Sequence, residues 1–331
     1  MKYTLQNKDF SLKLHPYSSN TQILTMQTQQ SWKVGLALSL LVVGFWATLP
    51  VALKVSLSAV DAWTLTWFRF CTATIFTLAV IFYTGSWRGF IQLKLKDWLW
   101  LILAGLMLIG NYVFYLLGLE KTTPGNAQVL IQLAPFLMIV GGVYFFKENF
   151  YFEQKVGASL LVLGLILFFK DQLDTVLLVE YKAGVALMVF AAISWAIYAL
   201  IQKKLHAVLS SQAILAVIYL LASVLLLPFS TPDNLTGLNQ QQWIAVAYAC
   251  FNTVGAYGAF SLALTYWQAS RVGMVIAIVP VFSLFFINFM ARLLPELVAF
   301  EHITSIGFIG VVLIVSGSMF ANISLANKPR P

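Results

Sequence analysis

The chain has 331 residues, of which 60% are hydrophobic and only 10% charged, with a net charge of +8. Soluble domains are usually about 45–50% apolar and about 25% charged, so a soluble fold is excluded. The basic residues are scattered among short segments and form no block, which excludes a nucleic-acid surface.

Residues 1–32 form a polar tail without the uninterrupted apolar core of a signal peptide, and are expected to be disordered. Met26 offers an alternative start. Apolar runs of about 20 residues follow, each long enough to cross roughly 30 Å of hydrocarbon as a helix. Ten are predicted, at 33–53, 62–84, 97–119, 123–146, 152–169, 184–203, 211–229, 243–266, 270–293 and 300–321. They are too uniformly apolar for barrel strands, which alternate. A short tail, 323–331, closes the chain.

The charges give an orientation. With the N-terminus inside, fourteen of the twenty Lys and Arg residues fall on inside segments and five outside, while Arg69 lies within a span. By the positive-inside rule, both termini are expected in the cytoplasm of a multi-pass protein of the cytoplasmic, or inner, membrane. Cys71 and Cys250 fall within spans and read as small apolar fillers.

The chain also repeats itself. Gly35, Ala37, Leu38, Trp46, Ala47 and Lys54 recur 149 residues later as Gly184, Ala186, Leu187, Trp195, Ala196 and Lys203. Gly110, Tyr112 and Pro135 recur 145 residues later as Gly255, Tyr257 and Pro280, and ENFYFE (148–153) matches ELVAFE (296–301) at an offset of 148. Residues 33–170 and 183–322 are therefore read as two repeats of five spans each. Five is odd, so the second repeat runs opposite to the first. The expected fold is all-α, with ten transmembrane helices as two inverted five-helix repeats, an arrangement used by secondary transporters.

This order of features resembles the drug/metabolite transporter superfamily, and within it the EamA-like family. The resemblance rests on ten spans in two halves, the WFRF stretch at 67–70, proline in the fourth and ninth spans, and Glu148 and Glu296 before the last helix of each half. It covers residues 33 to 322. It implies a carrier of amino acids, related metabolites or drugs, often outward.

Polar side chains within the spans mark helix contacts or a wet cavity. Trp46, Asn111, Tyr112, Gln128, Gln132, Trp195, Tyr198, Asn252 and Tyr257 lie near mid-depth, from spans 1, 3, 4, 6 and 8, and are the candidate substrate-binding residues. Gln128 and Gln132 are four residues apart and share a helix face. Their counterparts, Gly273 and Ala277, are small, which breaks the symmetry of the halves. Spans 5 and 10 lack such groups and read as outer braces or an interface.

Pro135 and Pro280 are expected mid-helix, each freeing the carbonyl four residues back (Ile131, Ile276) and making a kink or hinge. Arg69 belongs with them as a gating candidate. Its guanidinium either snorkels outward or anchors a carboxylate.

Asp, Glu and His are confined to span ends, loops and tails. That points away from polycationic substrates and from an intramembrane proton carrier, leaving facilitated transport, exchange, or coupling through an interfacial acid such as Glu120. The substrate expected is a neutral or zwitterionic small molecule, with the bilayer as the other partner. No cofactor or metal is expected. The acids of DQLD (171–174) have no partner cluster for Mg²⁺, so the chain does not read as an enzyme. No P-loop appears, which argues against ATP-driven transport. A channel or a non-transporting scaffold is the remaining alternative.

Overall fold

The computed structural model describes residues 32–146, 151–170, 179–266 and 269–326. The predicted tail over 1–32, apart from Trp32, which is helical, lies outside the described residues, as do the repeat glutamate Glu148, the DQLD loop and residues 327–331. Among those described there is no strand; every regular element is a helix.

In chain order the α-helices are α1 (Trp32–Ser56), α2 (Ala62–Thr84), α3 (Leu95–Lys121), α4 (Pro124–Leu130), α5 (Leu133–Phe146), α6 (Phe152–Lys170), α7 (Val179–Leu205), α8 (Ser211–Leu226), α9 (Gln240–Tyr266), α10 (Ala269–Ile276), α11 (Val279–Leu293) and α12 (Ser305–Ala326). Six of the described helical stretches are individually long and apolar enough to cross a membrane: Lys33–Ser56, Ala62–Thr84, Leu95–Lys121, Phe152–Lys170, Val179–Leu205 and Ser211–Phe229. Local chemistry sets their ends. Asp61 caps α2 by accepting from the N–H groups of Trp63 and Thr64, at 3.0 and 2.9 Å. Gly85, at φ +70°, ends the same helix in the left-handed region where only glycine is unstrained.

Three expectations need correction. The spans predicted at 123–146 and 270–293 are each two helices, interrupted at Ile131–Gln132 and at Ala277–Ile278. Pro135 and Pro280 are accordingly not mid-helix. They are the third residue of α5 and the second of α11, first-turn positions where a missing N–H leaves no intrahelical bond unmade. The Ile131 carbonyl is not free either, since it accepts from the Ala134 N–H at 2.9 Å. Both interruptions tighten in the same way, with Gln132 N–H on the Val129 carbonyl and Ile278 N–H on the Val275 carbonyl. These three-residue bonds keep the backbone paired inside the membrane. Lastly, the tenth span begins at Ser305 rather than near residue 300, because residues 300–304 form a loop that turns Glu301 back into the protein.

The principal packing partners come from opposite halves of the chain. α6 lies on α12, α3 on α7, α1 on α9 and α2 on α8; α5 packs on α7, and α11 on α1. Number the elements as spans, with α4/α5 as the fourth and α10/α11 as the ninth. Exchanging each span for the one five further on then returns the same set of pairs.

The α6–α12 contact shows this at atomic scale. A Cβ on Gly164 would lie 2.6 Å from the Gly310 carbonyl oxygen, and one on Gly310 would lie 2.7 Å from that of Gly164. A Cβ on Gly317 would lie 2.5 Å from the carbonyl of Gly157. Glycines seven residues apart on each helix thus cross pairwise and bring the backbones together, the small-residue packing that membrane helices use. The helices α6 and α12, read from the sequence as outer braces or an interface, pack on each other. Outside these contacts, Ile75, Phe76, Phe190, Ile244, Phe251 and Phe285 are exposed and present an apolar surface to lipid.

Gly164→Ala and Gly310→Ala are expected to destabilise the protein by about 1–3 kcal/mol through overpacking, read as a lower melting temperature in detergent. Gly44→Ala is the control, because a Cβ there meets nothing within 4 Å.

Candidate functional site

Arg69 organises the polar interior. Projecting from α2 seven residues past Ala62, roughly 10 Å along the helix, it is only 3% exposed. It does not snorkel. Its Nε donates to Thr253 Oγ1 of α9 at 3.1 Å, and its guanidinium lies 4.8 Å from the centre of the Tyr112 ring on α3. Tyr112 stacks on Phe70, with centroids 4.6 Å apart, and Phe70 in turn on Tyr219 of α8 at 5.6 Å. Tyr257 of α9 and Trp195 of α7 pack against the same cluster as Tyr112. Tyr198, one turn along α7, completes the same buried cluster. Five candidates from the sequence, Arg69, Tyr112, Trp195, Tyr198 and Tyr257, are thus brought together from four helices.

A second group adjoins the first through Trp46, whose ring lies 6.2 Å from that of Tyr257. Gln128 Nε2 points at the Trp46 carbonyl at 3.5 Å, and Tyr115 Oη points at Gln128 Oε1 at 3.4 Å. Both distances are at the long limit of a hydrogen bond, so the amide is only loosely held. Gln132, also buried, sits in the interruption between α4 and α5.

Asn111 and Asn252 have other occupations. Asn111 Nδ2 donates to the Ala191 carbonyl at 2.9 Å, tying α3 to α7. Asn252 Nδ2 donates to the Phe45 carbonyl at 2.7 Å, tying α9 to α1. Each of these two helix pairs thus carries one asparagine tie, though at positions that the repeat offset does not align.

Sequence reasoning missed the network at the Lys54 end of the bundle. Lys54 Nζ donates to the carbonyls of Leu119, Glu120 and Thr122, at 2.8, 3.3 and 3.1 Å, and so closes the C-terminus of α3. Glu301 enters from the α11–α12 loop. Its Oε1 accepts from the Gly125 N–H at 2.8 Å, with Thr123 beside the carboxylate. Asn288 pins the Glu301 backbone at both N–H and C=O, at 2.9 and 3.2 Å. A Cβ on Gly125 would fall 2.0 Å from Glu301 Oε2, so this approach requires glycine. Beside it Asn126 Nδ2 donates to Tyr181 Oη. A crevice of about 450 Å³ opens between the end of α3 and the start of α7, lined by Glu120, Lys121, Thr122, Thr123, Val179, Glu180 and Tyr181. It lies at the bundle end, away from the Arg69 cluster. The signal for this network was present as the Glu153/Glu301 repeat match, but a contact 176 residues apart in sequence could not be read from it.

The comparisons now bear on this arrangement. The model of the EamA-like transporter family matches residues 33–170 and 182–323. The chain belongs to this family. An uncharacterised transporter of Haemophilus influenzae is 32% identical over 292 residues, covering 88% of this chain and 95% of that one. The uncharacterised inner membrane transporter YhbE of Escherichia coli K12 is 31% identical over 298 residues, covering 89% and 93%. A probable amino-acid metabolite efflux pump of Escherichia coli K12 is 25% identical, covering 85% and 92%. One protein solved by crystallography shares the fold, with a TM-score of 0.61 over 89% of this chain and 99% of that one, at 17% identity. The EamA-like protein is thus a multi-pass transporter-family member of the inner membrane type.

Burial holds the Glu301 carboxyl above the ordinary carboxylate value, against the Gly125 and Thr123 hydrogen bonds and the Lys54 charge, which lower it. A raised folded-state value contributes stability that is complete below the ordinary carboxylate range and is lost as pH rises through the folded value. The melting temperature is therefore expected to fall with rising pH across that window. Glu301→Gln should flatten the slope, and Gly125→Ala, by displacing the carboxylate, should do the same.

Proposed function

We propose that this EamA-like protein is a secondary transporter that moves small organic solutes outward by alternating access, and that it is built as ten spans in two inverted five-span repeats. The observation that carries this reading is the exchange symmetry of the helix pairs. Two halves that interlock through equivalent contacts can adopt two arrangements of similar energy, each open to one side. The family match over residues 33–170 and 182–323 supports the same division.

The interrupted fourth and ninth spans are the moving parts. Each break is held by three-residue backbone bonds, so the short segments α4 and α10 can pivot without exposing unpaired N–H groups to lipid. Pro135 and Pro280 set the start of the following helices and fix the hinge positions. The Lys54–Glu301 network closes one end in the conformation described, and lies on the outer side if both termini are cytoplasmic. Alternation requires the Glu301 contact to α4 to break.

Gln128 and Gln132 line the path from one side, with Trp46, Tyr112, Trp195, Tyr198 and Tyr257 around it. Loosely held amides can exchange their partners for those of a solute. The mixed polar and aromatic lining favours a neutral or zwitterionic molecule, and the Escherichia coli relative named as a probable amino-acid metabolite efflux pump supports that class. Asn111 and Asn252, with amide protons held by backbone carbonyls, act as ties between helices instead.

A thermal-shift screen of the detergent-purified protein tests this reading, using amino acids, polyamines, nucleosides, sugar nucleotides, organic phosphates and toxic amphiphiles. A solute that binds only the folded state raises the melting temperature. The expected outcome is a response to amino acids or related zwitterions, lost in Gln128→Ala/Gln132→Ala. A response that survives the double substitution would remove the two glutamines from the site.

A further inference from the structure

We infer that Arg69 is the anchor for a carboxylate on the transported solute, held within a cradle of tyrosine hydroxyls from α3, α7 and α8. This rests on the transport reading and narrows its substrate class.

An arginine side chain does not lose its proton in proteins, so burying it buries a full positive charge. Buried charges are normally paired, because an isolated one in a medium of low dielectric constant is costly. Among the described residues no carboxylate forms an ion pair with Arg69. Its recorded contacts are one neutral hydroxyl, Thr253 Oγ1, and the face of one ring, Tyr112. Tyr115, Tyr219 and Cys250 complete the groups that feel its charge. Nε is occupied by Thr253, which leaves the planar fork at the far end of the guanidinium for an incoming group. That fork matches the two oxygens of a carboxylate.

A second observation points to the same ligand. The hydroxyls of Tyr198 and Tyr219 are buried without any hydrogen-bond partner. Native structures leave few such groups, and each calls for a cause. Tyr219 lies within electrostatic reach of Tyr112, Tyr198 and Arg69, so the orphaned hydroxyls and the unpaired charge belong to one cluster. An anionic group on the Arg69 fork would enter the cluster that holds these hydroxyls.

The packing of α2 does not itself demand a cation. The position 149 residues on, in the corresponding span α8, is Ile218, fully buried and apolar. The same architectural place is thus filled by a hydrocarbon side chain in the other half. An asymmetric solute would use that difference, with its carboxylate on the Arg69 side and its remaining polar groups toward Gln128.

The test is counterflow into proteoliposomes of the full-length protein, using matched pairs that differ only in the carboxylate: leucine and leucinamide, phenylalanine and phenylalaninamide, threonine and threoninamide. The expected result is uptake of the acid at least tenfold above the amide in one or more pairs. Arg69→Gln should bring the acid down to the amide level, and Arg69→Lys, which keeps the charge and loses the fork, should fall between. Equal movement of acid and amide by the wild-type protein overturns the anchor and leaves the transporter standing. So does an Arg69→Gln protein of unchanged melting temperature that still prefers the acid. Should Arg69→Gln fail to fold, the wild-type pairs alone decide. A protein that moves neither member of any pair overturns the anchor together with the amino-acid reading on which it rests.

Discussion

Hydrocarbon offers no hydrogen bonds, and the architecture follows from that one constraint. Every backbone N–H and C=O within the bilayer must find a partner in the chain, so helices are the only regular element available to these apolar sequences. The same constraint governs the exceptions. Where the fourth and ninth spans break, the N–H groups of Gln132 and Ile278 move to carbonyls three residues back and the backbone remains paired. The hydroxyls of Thr66, Thr72, Thr74 and Thr77 turn back onto carbonyls four residues earlier in α2, removing their own polarity from the lipid. Against this background an unpaired group is informative, because the rest of the protein shows how readily pairing is achieved.

With lipid as apolar as leucine, burial supplies little drive for helix association, and close contact must do so. The glycines of α6 and α12 provide it by letting backbones touch, and the same device recurs where Gly118 of α3 meets the backbone of Gly184 on α7. Polar ties supplement this packing in two of the helix pairs, Asn111 to Ala191 and Asn252 to Phe45. The consequence is a bundle whose strongest contacts run between halves.

Much of this was legible in the sequence because the membrane turns length and hydropathy into structure. The predicted second span, 62–84, is the helix Ala62–Thr84, and it begins where Asp61 announces a cap. The repeat offsets propose two halves because they compare residues in register and need no three-dimensional knowledge. The prolines were harder. A proline in an apolar run is read as a kink in a continuous helix, yet the same ring suits the start of a new helix equally well. Only the backbone bonds of the preceding two residues distinguish the cases. Glu301 illustrates another limit. It was assigned to a span end, where a charge is unremarkable, whereas its role comes from Gly125, Thr123 and Asn288 on other elements. Likewise Asn111 and Gln128 look alike as buried amides in sequence, and only their partners separate a firm tie at 2.9 Å from a loose contact at 3.5 Å.

The two polar centres differ in how fully their groups are satisfied. At the Lys54 end, contacts are charge-assisted, short and many: Lys54 alone reaches three carbonyls, and Glu301 is held at its backbone and its carboxylate. Such a cluster is stable when closed and has a defined alternative, since each group can be hydrated at the surface once separated. Deeper in, the arrangement is reversed. Arg69 has one hydroxyl and one ring, Gln128 has two long contacts, and Tyr198 and Tyr219 have hydroxyls with no partner. Groups already satisfied by the protein gain little from a solute, because a new bond only replaces an old one. Groups left wanting gain the full bond. On the transport reading proposed above, binding energy is concentrated at the centre of the bundle and closure energy at its end, and occupancy of the centre would bias the state of the gate without either site changing its own chemistry.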